Sequence, residues 1–128
     1  MLKTLSLATV EDGPAPGHVL CRVDDIKDVA DGGAKSFRYG SGPQEIRIFL
    51  LRKNDQVYAY LNACPHVLSA LDWMPDRFLD PSRTLIQCAT HGAQFRIEDG
   101  FCVEGPCAGK SLTAIPIEVI DGEVKVSE

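Results

Sequence analysis

Two short residue pairs constrain this chain more than any other feature. They are Cys64-Pro65-His66 and Cys88-Ala89-Thr90-His91, and 21 residues separate His66 from Cys88. Each pair places one thiol and one imidazole within a single tight loop. If the four side chains converge on one centre, the fold must bring two loops face to face.

The surrounding pattern is that of short strands broken by turns. Residues 19–23, 35–39, 45–52 and 56–61 are β-branched and apolar, or alternate as half-buried strands do. The turn signals 30–34, Gly40-Ser41-Gly42-Pro43 and Lys53-Asn54-Asp55 separate them. Residues 45–52 and 56–61 are expected to form a hairpin. Residues 84–88 and 93–97 are expected to form another, with the second Cys/His pair at its tip. Glu98-Asp99-Gly100 turns the chain into a strand at 101–103. Residues 114–120 and 123–126 close the chain as a last hairpin, with Asp121-Gly122 as its turn. The expected fold class is therefore all-β, a sandwich or small barrel of short strands. The 128 residues fit one domain.

Charge and composition narrow the function. The net charge of −5 argues against nucleic acid, which calls for a basic stripe. It suits a protein partner with a basic face. No apolar run reaches the roughly 18 residues that span a bilayer, so no membrane is expected. The N-terminus, MLKTLSLATVEDG, has no long apolar core followed by a small-residue cleavage site. The expected compartment is therefore the cytoplasm.

Five cysteines in such a chain do not read as a disulfide framework. Cys21 lies in the apolar run HVLCRV and is expected as a buried thiol in a strand. Cys102 and Cys107 flank Val103-Glu104-Gly105-Pro106, and a turn there brings them near each other. They read either as two partly buried thiols or as a redox-sensitive pair. Cys64, His66, Cys88 and His91 read as metal ligands. Two thiolates with two imidazoles suit a [2Fe–2S] cluster in which two His replace two Cys on one iron. On donor chemistry alone they also suit zinc, although a Cys-x-His start departs from the usual zinc spacing. Pro65 stiffens the first loop. Gly92 allows a positive φ or a close backbone approach.

Cys64-x-His66 followed by Cys88-x-x-His91-Gly92 resembles the Rieske iron–sulfur family. The likeness covers roughly residues 19–126. It takes in Leu61-Asn62-Ala63, Phe95, Asp99-Gly100-Phe101, Gly105-Pro106, Leu112 and the Asp121-Gly122 hairpin. The resemblance implies a Rieske-like antiparallel β-sandwich or small barrel spanning 1–128. Its cluster-binding subdomain, about 62–107, would be formed by two loops. It implies one [2Fe–2S] cluster per chain, with Cys64 and Cys88 on one iron and His66 and His91 on the other.

Within the family, the respiratory members tie their two cluster loops with a disulfide. The matching positions here are Ser69 and Thr90. Those members also set a Ser and a Tyr hydroxyl against the cluster, where this chain has Ala93 and Phe95. The likeness is thus to the low-potential soluble Rieske ferredoxins. It implies a single-electron shuttle between a reductase and a terminal oxygenase or other acceptor, acting as a monomer. A small redox subunit of a larger enzyme, of the nitrite reductase kind, is the second reading. A zinc-binding or redox-sensing module is the third. Beyond His66 and His91 the chain has only His18, so it cannot itself build the two-His, one-carboxylate iron site of an oxygenase. The gap between the ligand pairs contains residues 71–80, with Trp73 and Phe78. That segment is expected to pack its aromatics on the β framework; a docking role is the alternative.

Overall fold

The strand Ile46–Lys53 is apolar at four consecutive positions, Ile48, Phe49, Leu50 and Leu51, and all four are fully buried. A strand alternates its side chains between two faces, so such a run must be covered on both sides. In the computed structural model, Phe49 and Leu51 enter one hydrophobic cluster while Ile48 and Leu50 enter another. The structure describes residues 4–5, 7, 14–31, 33–40, 45–54, 56–63, 71, 77–88, 92–105 and 109–127.

Among the described residues there are nine strands in three antiparallel sheets. They are β1 (Val19–Arg22), β2 (Lys35–Tyr39), β3 (Ile46–Lys53), β4 (Gln56–Leu61), β5 (Leu85–Gln87), β6 (Gln94–Arg96), β7 (Cys102–Glu104), β8 (Ile117–Ile120) and β9 (Glu123–Val126). The sheet orders are β1-β9-β8, β2-β3-β4 and β5-β6-β7. The expected all-β class and the three expected hairpins are present. Asp121 and Gly122 both take positive φ, 52° and 77°, as a two-residue hairpin turn requires. No helix among the described residues is long and apolar enough to cross a membrane.

Two departures from the expected elements have local causes. The strand expected at 114–120 begins only at Ile117. Residues before it serve β4 instead: Leu61 N–H donates to the Thr113 carbonyl and Ile115 N–H to the Ala59 carbonyl. At the other end of the chain, β1 stops at Arg22, whose backbone N–H donates to the Asp25 carboxylate. A single 3₁₀ turn, Val23–Asp25, follows.

The two clusters divide the molecule. One, with Cys21, Ile48, Leu50, Val124 and Val126, joins the sheet of β1, β9 and β8 to β3. The other packs Phe49, Leu51 and Tyr60 against Ile86, Cys88, Phe95 and Ile97, and so seats the sheet of β5, β6 and β7 on the framework. Phe78 is fully buried there and stacks on Phe49, with centroids 4.1 Å apart and planes 9° apart. The packing reading of residues 71–80 holds for Phe78; Trp73 lies outside the described residues. The Tyr60 hydroxyl donates to the Ile97 carbonyl at 2.6 Å and fastens the two sheets across this interface. Burial is the main reason the Tyr60 pKa is pushed far above its ordinary value, so the phenol stays a neutral donor.

Candidate metal centre

Of the four expected ligands, Cys88 is described; Cys64, His66 and His91 lie outside the described residues. Cys88 directly follows β5 and is fully buried. It belongs to the same core cluster as Phe78, Ile86, Ala93, Phe95 and Cys102. Its backbone N–H donates to the Ala93 carbonyl at 2.8 Å, and its carbonyl accepts from Gly92 N–H at 3.0 Å. The hairpin tip therefore closes on itself through backbone bonds, with residues 89–91 between the partners. Gly92 has φ 69°, and a Cβ there would meet nothing within 4 Å. Of the two reasons foreseen for this glycine, conformation applies and crowding does not.

The hairpin stands on an ordered base. Asp80, almost fully buried, accepts from Ser82 Oγ and from the backbone N–H groups of Thr84 and Leu85. Burial raises its pKa, but the hydrogen bonds from Ser82, Leu85, Thr84 and Arg83 outweigh that and hold it below the ordinary carboxylate value. This turn launches β5 toward Cys88. Sequence reasoning missed Asp80, although Asp80-Pro81-Ser82 is a turn signature of the kind in which a carboxylate caps nearby N–H groups.

The first pair has a different frame. Cys64 and His66 lie in the chain between Ala63 and Leu71. Asn62, at the end of β4, is buried and its Oδ1 accepts from Leu71 N–H at 2.7 Å. Its own N–H donates to the Arg47 carbonyl, one step beyond the paired residues of β3 and β4.

A third segment presses on the hairpin from β7. Gly105 has φ 96°, and a Cβ placed on it would lie 2.7 Å from Ala93 Cα. Only glycine allows the two backbones this close. Ala93 and Phe95 are both fully buried, and neither carries a hydroxyl. Cys102 is fully buried, more so than the partly buried thiol expected, with its thiol donating to the Glu104 carbonyl. Cys107 lies outside the described residues. Cys21 is buried in β1, as its sequence context implied.

The residues that are described fit an iron–sulfur group. Cys88 sets a sulfur in an apolar core cluster at the base of a backbone-closed hairpin, and sulfur with imidazole is the donor set of a mixed Cys/His cluster.

The family model of the Rieske [2Fe-2S] domain matches residues 18–121. Among curated proteins, none matches the sequence. Among solved structures, the ferredoxin of carbazole 1,9a-dioxygenase from Nocardioides aromaticivorans IC177 superposes with TM-score 0.67 at 21% identity, covering 88% of this chain and 98% of that one. The Sphingomonas yanoikuyae B1 ferredoxin does so with TM-score 0.62 at 23% identity, covering 88% and 98%. A chain in the complex of reduced oxygenase and oxidized ferredoxin in carbazole 1,9a-dioxygenase gives TM-score 0.62 at 25% identity, covering 86% and 100%.

Proposed function

The chain belongs to the Rieske [2Fe-2S] domain family, and from that premise we propose that it is a low-potential Rieske-type electron carrier. It takes single electrons from a reductase and passes them to a terminal oxygenase or another redox enzyme. The observation that carries this reading is the family match over residues 18–121, in a chain that keeps both Cys64-x-His66 and Cys88-x-x-His91. We assign Cys64 and Cys88 as thiolate ligands of one iron and His66 and His91 as imidazole ligands of the other, one cluster per chain. When bound, such a cluster supplies a site that takes up and releases one electron at a time.

The chain's own residues then tune and position that site. The Asp80 turn and the bonds from Cys88 N–H to Ala93 O and from Gly92 N–H to Cys88 O hold the hairpin that carries Cys88. Cys88 is fully buried in the same apolar cluster as Phe78, Ile86 and Phe95, which gives its sulfur a low-dielectric setting. Ala93 and Phe95 offer no side-chain hydrogen bond, and fewer bonds to cluster sulfur stabilise the reduced form less. The midpoint therefore belongs at the low end of the roughly −150 to +300 mV Rieske range.

Similar ferredoxins include one of carbazole 1,9a-dioxygenase and one found in complex with its oxygenase. That supports an oxygenase-type acceptor here. The net charge of −5 suits basic docking faces and not nucleic acid. Cys21 and Cys88 are free of disulfides, which suits the reducing cytoplasm as the compartment. We read residues 1–128 as one domain with its cluster-binding part at about 62–107, acting as a monomer. The zinc, sensor and reductase-subunit readings are not favoured by the comparisons.

Redox titration of the purified protein, followed by mixing the reduced form with an oxygenase-type acceptor, tests the proposal. The expected result is a one-electron midpoint near the low end of the range and rapid reoxidation by the acceptor. A midpoint above about +100 mV would contradict the low-potential assignment.

A further inference from the structure

β2 and β3 set two arginines directly opposite each other. Arg38 pairs with Arg47 in the antiparallel register, so both side chains leave the same face of the sheet. Residues 47, 49 and 51 alternate onto one side of β3, and Phe49 and Leu51 enter the cluster that holds Cys88. Arg38 and Arg47 therefore emerge on the side of the framework where the Cys88 hairpin is seated. Both are exposed, with 71% and 48% of their side chains accessible.

Like charges placed opposite each other across two strands oppose the pairing. One carboxylate, Glu45, stands between them. Its Oε1 accepts from Arg47 Nε at 2.9 Å and lies 3.9 Å from Arg38 Nε. A single oxygen thus serves both arginines through Nε, and two cations against one anion leave this corner positive. Among the described residues, no hydrogen bond uses the Nη groups of either guanidinium. Stability accounts for one arginine, the partner of Glu45. It does not account for a second, because an exposed ion pair adds little.

We propose that Arg38 and Arg47 form a docking contact for surface carboxylates of a protein that exchanges electrons with this chain. Guanidinium forks match planar carboxylates through paired N–H groups, and here two forks stand side by side. The net charge of −5 attracts basic faces from a distance. This corner has the opposite sign, and a local contact of opposite sign fixes the register in which two proteins meet. The inference rests on reading the chain as an electron carrier.

The test uses the cluster-loaded protein, with hexaglutamate as the carboxylate probe. The variants are Arg38→Gln, Arg47→Gln and the two combined. Lys53→Gln is the control: it also removes one exposed positive charge, but at the other end of β3. That end is about 20 Å from Arg47, roughly two Debye lengths at 0.1 M salt. The arginine Nε–H resonances of the oxidised protein are expected to shift with hexaglutamate at Arg38 and Arg47. A second readout is oxidation of the reduced protein by hexacyanoferrate(III), an anion that takes one electron from it. At low salt, Arg38→Gln and Arg47→Gln are each expected to slow that reaction about two- to fivefold. Lys53→Gln is expected to stay near the wild-type rate. High salt is expected to erase the difference. Hexaglutamate is expected to slow the wild-type reaction and not that of the combined variant.

Equal slowing by Lys53→Gln and Arg47→Gln would show that net charge alone acts, and would overturn the proposal. Shifts at Arg38 and Arg47 as strong with inorganic phosphate as with hexaglutamate would overturn it too, in favour of a free-anion site. Absence of a Rieske signal from the wild type would instead refute the carrier reading. The hexaglutamate shifts, read without any redox step, would then decide the carboxylate contact separately.

Discussion

Replacing Gly105 by Ala separates backbone strain from steric pressure on the ligand hairpin. Gly105 has φ 96°, so any Cβ there incurs the left-handed penalty of about 1–2 kcal/mol. The new methyl would also sit 2.7 Å from Ala93 Cα and 3.3 Å from Ala93 N, both backbone atoms of a fully buried residue. Backbone must then move, and overpacking of this kind costs about 1–3 kcal/mol more. Gly17 supplies the comparison, with φ 85° and nothing within 4 Å of a Cβ. Gly17→Ala therefore carries the conformational penalty alone. In thermal melts of the loaded protein at one scan rate, Gly105→Ala is expected to melt about 4–12 °C below Gly17→Ala. Ala93 O holds Cys88 N–H, so the displacement reaches the ligand hairpin. The reduced paramagnetic signal is expected to shift or broaden in Gly105→Ala and to match wild type in Gly17→Ala. Equal melting temperatures and identical signals would refute the close-approach argument.

Other outcomes follow from the same packing. Phe78→Ala removes the ring stacked on Phe49 and should cost about 3–5 kcal/mol in urea denaturation; a loss below about 1 kcal/mol would return that segment to the surface. Tyr60→Phe deletes the hydroxyl that donates to Ile97 O and should cost about 1–2 kcal/mol, with the midpoint potential unchanged. Asp80 has a depressed pKa, so its stabilisation is present above its ordinary value of 3.8 and is lost as pH falls through the folded value. Asp80→Asn should therefore flatten the fall of stability in acid. It should not abolish that fall, because Asp99, paired with Arg96, and Asp28, capped by Ala30 N–H, are depressed as well. An unchanged acid limb in stability measured against pH would contradict this.

What the sequence makes legible is local. The alternation of residues 56–61, the turn signals around 35–39 and the hairpin turn before 123–126 predict β4, β2 and β9 with the ends they have. The Asp121-Gly122 turn follows from the φ values its residues tolerate. Residues 114–116 read as the start of a strand over 114–120, yet Ile115 N–H, and Thr113 O before it, bond to β4, a partnership no local pattern announces. The pairing of β1 with β9 likewise joins distant ends of the chain. At the metal centre the ligands are legible because chemistry fixes residue type and spacing. Their supports are not. Asn62 and Asp80 look like ordinary turn residues until Leu71 N–H and Leu85 N–H are seen pointing at them. Gly105 shows its reason only when Ala93 is placed beneath it.

The central claim is that this chain carries a [2Fe–2S] cluster with two His ligands. An electron paramagnetic resonance spectrum of the dithionite-reduced protein tests it most directly. The account predicts a Rieske signal, with an average g clearly below that of all-cysteine clusters, and its loss on Cys88→Ser or His91→Ala. A silent spectrum from colourless protein with bound zinc would contradict it.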